Sequence, residues 1–180
     1  MLSIFPLNAR SKVMTEDASS HSGALTLRPS LADPAAAAEL FACAASDFLR
    51  AIYRPQSNAS EEEVSTIVFG MAALFEDASG IVDLPAGFST ASAAMRLRPY
   101  VEKRINTMSP EDRGIFEDDA GVVALAVNMF FEELLVRADA WLELRGAEMD
   151  EAEMHEFLAS DATHLWMIQW AERILGVKAN

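Results

Sequence analysis

From residue 33 onward, apolar residues recur at spacings of three and four, the period of a helix with one buried face. Asp33-Pro34 opens the first run, an N-cap followed by the residue whose fixed φ suits the first helical position. Phe41, Ala45, Phe48 and Ile52 form its stripe, and it ends ahead of Arg54-Pro55. Ser60-Glu61-Glu62-Glu63 predicts a capping box at the start of the second helix, with acids complementing the positive helix end. Val64, Ile67, Val68, Met71, Leu74, Phe75 and Ala78 supply its apolar face, and Gly80 its stop.

Residues 81–88 read as a loop. A third helical run from about Ser89 to Met108 contains Pro99, which predicts either a kink or a break and restart. Ser109-Pro110-Glu111-Asp112 caps a short fourth helix. The fifth runs from about Asp119 to Arg145 and stops at Gly146; the sixth starts at Asp150, with Glu153 closing a box, and runs to Gly176. No alternating strand pattern of useful length and no internal repeat is present. The expected architecture is all-α, a single compact bundle of five to six helices over residues 31–180, behind a flexible segment at 1–30.

The fifth helix is apolar nearly all round between Gly121 and Phe131, which predicts a central position. Leu165, Trp166, Met167, Ile168 and Trp170 give the second half of the sixth the same character. A connection of about four residues predicts that these two helices pack antiparallel at the heart of the fold.

Charge changes the picture most. The chain has 180 residues, with Lys+Arg 14 against Asp+Glu 28, a net charge of −14. Residues 1–30 carry Arg10, Lys12 and Arg28 against Glu16 and Asp17, so the excess acid lies beyond them. Their apolar residues come first, are interrupted by Pro6 and precede the bases, the reverse of a secretory signal. Glu16 and Asp17 also spoil a mitochondrial presequence, and Met14 offers an alternative start. The longest uncharged apolar run, Ala120 to Phe131, is too short to span a bilayer. The expectation is a cytoplasmic protein with no membrane association. Its arginine-over-lysine and alanine-rich composition is that of a GC-rich bacterial or phage genome.

Candidate chemistry is sparse. Cys43 is the one cysteine, which excludes an internal disulfide and a multi-thiolate zinc site, and its helical setting predicts a small buried thiol. Asp161-Ala-Thr-His164 has the carboxylate-x-x-His spacing of di-iron helices and is placed to face Glu132 or Glu133, but it lacks the second copy such sites need. The structural alternative is a polar pair on a helix surface. Glu151 and His155 share a face, away from His164. Asn128 interrupts an apolar run, either as a ligand handle or as a buried amide bonded to a neighbouring helix. No cofactor is expected, and no phosphate loop, nucleophile elbow or dinucleotide turn is present.

Arg96, Arg98, Lys103 and Arg104 form one basic segment, expected to pair with Glu111 to Asp119 or to meet an acidic partner. Direct nucleic-acid binding is opposed by the net charge. Asp139 to Asp161 holds eight acids against Arg145, either a solvated corner or a docking face for a basic partner. Two functions follow. The first is a non-enzymatic, acidic interaction protein of the inhibitor, immunity, chaperone-like or phage type, by analogy of size and charge. Asp139, Glu143, Glu148, Glu151 and Glu156 would meet a basic protein, such as a nucleic-acid-binding one, and a homodimer is compatible. The alternative is a small-molecule or metal-binding bundle, with an enzyme among its forms, built on Asn128, Glu132, Asp161 and His164.

Overall fold

The computed structural model describes residues 30–178, apart from Ala32, 55–58, 77–79 and Ile81. The expected flexible segment (apart from Ser30), Pro55 and the Ala78 position of the second stripe lie outside the described residues. The described chain is all-α, with seven helices: α1 Pro34–Tyr53, α2 Glu61–Ala73, α3 Thr90–Asn106, α4 Pro110–Ile115, α5 Asp119–Arg145, α6 Glu151–Ala159 and α7 Asp161–Leu175. Among the described residues β pairing is confined to one isolated bridge, Ser30 with Asp83, where the Leu31 N–H donates to the Asp83 carbonyl at 2.8 Å.

Local chemistry places most helix ends where the sequence puts them. The Asp33 carboxylate accepts from the Ala36 N–H and the Ser60 hydroxyl from the Glu63 N–H, each satisfying a donor that the first helical turn leaves over. Gly146 and Gly176 close α5 and α7 in the left-handed conformation, at φ 60° and 71°. Pro99 neither breaks nor restarts α3, which continues from Thr90 to Asn106. Its ring lies on the exposed side, where water can satisfy the carbonyl that loses its N–H partner.

The count exceeds the expected five to six because the sixth run is two helices. Ser160 is extended (φ −65°, ψ 141°) and serves as C-cap of α6 and N-cap of α7 at once. Its N–H donates to the Phe157 carbonyl, and its hydroxyl accepts from the Thr163 N–H. The signal was present: Ser160 followed by Asp161 is an N-cap with an acid in the first turn.

Burial follows the stripes except at Ile52 and at Leu165 of α7, which keeps 56% of its surface exposed. Ala37, Ala38, Phe41, Ala45, Phe48 and Leu49 of α1 are buried, but Ile52 is exposed at the helix end. Nearly every position of α5 from Val122 to Phe131 is buried or half-buried, as expected of a central helix. The backbones closest to α5 are those of α3 and α2, and the α7 backbone lies mainly on α1, so the expected antiparallel α5–α7 contact is made through long side chains rather than by close backbone packing. Large rings bridge these two helices. Trp166 of α7 stacks on Phe130 at 4.8 Å, and Trp170 meets the same ring edge-on at 6.1 Å. Phe41 adds an edge contact to Phe130 at 5.3 Å, so Phe130 joins α1, α5 and α7 in one core.

Candidate functional site

The acidic corner is assembled from the C-terminal half of α5, the turn after it, and α6. α5 outruns its packing here, since beyond Val136 only Ala138 is buried. Asp139, Glu143, Glu148, Glu151 and Glu156 are all exposed. Three of the five are already held by the fold. The Tyr53 hydroxyl of α1 donates to Asp139. Burial, then that hydrogen bond and the neighbouring negative charge, push the Tyr53 phenol well above its ordinary value. Arg50 of α1 grips both carboxylate oxygens of Glu151 through Nε and Nη2. Hydrogen bonding to Arg50 is the chief cause that holds Glu151 below the usual carboxylate range, and the same bond raises Arg50. Glu156 takes Arg145, which also pairs with Glu153 at 2.9 Å and lies over the Trp141 ring at 4.8 Å.

Glu153 therefore does not close the expected box. The Asp150 side chain accepts from the Glu153 N–H, but the Glu153 carboxylate turns to Arg145 and to the Trp141 indole at 3.0 Å. Side chains of Glu143 and Glu148 take no hydrogen bond or cation among the described residues. The corner is thus a knitted region with two unpartnered acids beside the α5 terminus. No local pattern marks Arg50 for this corner, because it lies 101 positions before Glu151 in the chain.

The alternative set does not converge. Asp161 and His164 are exposed in the first turn of α7. Glu132 is committed to Arg104 of α3 at 3.0 Å and to the Asn128 amide at 3.1 Å. Asn128 thus bonds within its own helix, and the expected inter-helix bond is made one turn later by Glu132. Glu133 accepts from Trp166 at 2.7 Å, Trp170 at 3.2 Å and Arg137 at 3.0 Å, and faces neither Asp161 nor His164. Among the described residues no three His, Cys, Asp or Glu side chains are grouped to hold a metal ion.

The basic segment is largely spent inside the fold. Arg96 donates to the carbonyls of Arg173 and Ile174, capping α7, and burial lowers its pKa. Arg98 pairs with Asp119 at 3.2 Å, within the acidic stretch expected for it, whereas Arg104 goes to Glu132. Lys103 is exposed. Cys43 is exposed rather than buried, because its position on α1 lies off the Phe41–Ala45–Phe48 stripe. It lines an open cleft of about 580 Å³ between α1 and α6 with Ser46, Asp47, Arg50 and His155. No helix among the described residues is long and apolar enough to cross a membrane. No protein-family model, curated protein or solved structure matches this chain.

Proposed function

We propose that this chain is a non-enzymatic, acidic helical interaction protein that docks a basic protein partner at the corner formed by the end of α5 and the start of α6. One observation carries the reading: Glu143 and Glu148 are exposed and take no cation among the described residues, while Arg50 and Arg145 are used up on Glu151 and Glu156. A chain with net charge −14 adds a long-range field that steers cations toward this face. The C-terminal end of α5 contributes the negative pole of its helix dipole to the same place. A nucleic-acid-binding protein is a natural class of partner, since its basic surface is complementary.

The test is Glu143→Lys with Glu148→Lys, which spares every intramolecular ion pair of the corner. Affinity capture with wild type should retain a basic protein, and the double variant should lose it. Wild-type capture should also fall with salt, as the screening length drops from about 10 Å at 0.1 M to 3 Å at 1 M. Capture that is insensitive to both changes overturns the proposal and leaves the corner a solvated surface.

A further inference from the structure

The outer face of α5 carries more than acid. Val136, Ala140 and Leu144 are spaced four apart and are all exposed, so they stand one above the other on the helix surface. Val136 keeps 68% of its surface in water and Leu144 keeps 89%. Scattered exposed apolar residues are ordinary, but three in register along one ridge present a continuous strip about 12 Å long. Asp139 and Glu143 lie along one edge of that strip, and Glu148 follows just beyond the helix end. On the other side Arg137 is folded down over the Trp166 ring at 4.8 Å and held by Glu133, so it does not neutralise that edge.

Charge complementarity decides the occupant. An isologous contact between two copies would set this acidic edge against itself, in a chain already at −14. An anionic lipid surface is repelled for the same reason. The geometry points to a cationic amphipathic helix of a partner protein, laid along α5 with apolar side chains at i and i+4 on Val136, Ala140 and Leu144 and with Lys or Arg along the Asp139–Glu143–Glu148 edge. This rests on the reading of the corner as an acidic docking face and assigns the partner's shape, not only its charge. The apolar strip supplies affinity that salt does not screen, and the acids supply orientation and speed of encounter.

The experiment uses the full chain and two synthetic helical peptides of equal positive charge. One carries leucine at i, i+4 and i+8 with lysine elsewhere, and the other has those leucines replaced by serine. Binding is followed by fluorescence anisotropy at low and high salt. The leucine peptide should bind at least about tenfold more tightly, and Val136→Ser with Leu144→Ser should abolish that advantage while circular dichroism stays unchanged. Glu143→Gln with Glu148→Gln should weaken both peptides and flatten the salt dependence. Equal binding of the two peptides overturns the apolar strip but leaves the acidic docking face standing. Failure of either peptide to respond to Glu143→Gln with Glu148→Gln removes the docking face as well. A dimer in sedimentation that Leu144→Ser dissolves would assign the strip to a second copy and overturn the proposal.

Discussion

The Trp166 indole N–H donates to Glu133 at 2.7 Å while the same ring lies flat on Phe130 at 4.8 Å, with 8° between planes. Glu133 and Phe130 are three residues apart on α5, so a single helix face offers the ring both its apolar floor and its polar stop. Trp170 reaches the other oxygen of the carboxylate at 3.2 Å. Glu133 is therefore the polar clamp that joins α7 to α5.

Replacing the clamp should be felt in both tryptophans. Glu133→Leu leaves two indole donors without their acceptor and should cost about 1–3 kcal/mol, read by chemical denaturation. Glu133→Gln keeps one acceptor oxygen and should cost less. Tryptophan emission should change in both variants. Equal stability of wild type and Glu133→Leu would show that water replaces the carboxylate at no cost.

Phe130 should be the costliest single truncation among the aromatic residues of α5. It is fully buried and touches rings from α1 and α7. Phe130→Ala should lower stability by about 3–5 kcal/mol, whereas Glu62→Ala, on the exposed side of α2, should stay within about 0.5 kcal/mol. Comparable losses for the two would move the core away from Phe130.

The Arg50–Glu151 pair gives a pH signature. Folding lowers the Glu151 pKa below its unfolded value, so the pair contributes at pH above the ordinary carboxylate range. That contribution is lost as pH falls through the lowered folded value. In an NMR titration the Glu151 carboxyl should titrate below the ordinary range in wild type and return upward in Arg50→Met. Since both side chains are solvent-accessible, added salt should narrow the difference. An unchanged Glu151 titration in Arg50→Met would assign the shift to another group.

Gly176 should reject a side chain more strongly than Gly146. Both sit at positive φ, where a Cβ costs about 1–2 kcal/mol, but a Cβ on Gly176 would also lie 2.6 Å from Arg96 Cζ, while nothing lies within 4 Å at Gly146. Gly176→Ala should therefore exceed Gly146→Ala in thermal destabilisation. In an Arg96→Ala background the excess should vanish, the signature of two coupled neighbours. If it persists, the guanidinium moves aside freely and its cap on α7 is weak.

Local chemistry alone determined the all-α class and most helix boundaries. Asp33-Pro34 and Asp150 start helices, and Gly146 and Gly176 end them, because caps satisfy backbone groups within a few residues of themselves. Even the missed break at Ser160 was local, a cap hidden inside an apolar period that runs on through it. The apolar run of α5 likewise fixed its central place, since a helix apolar all round must be covered on every side.

What covers it was decided only in three dimensions. Periodicity tells which face is buried but carries no address, so it could not say that α3 and α2 bring their backbones closest to α5 while α7 reaches it through its side chains. Trp166 and Trp170 make that reach, through Phe130 and Glu133. The same holds for the candidate site. Asp139, Glu151 and Glu156 read as free acids along the chain, and Tyr53, Arg50 and Arg145 turn them into a framework, two of these three partners arriving from α1 at separations of 86 and 101 residues. Glu143 and Glu148 are left over by that pairing, and Val136 and Leu144 by the packing of α5. An acid's charge is written in the sequence, but whether a cation of the same fold has already claimed it depends on contacts between distant segments.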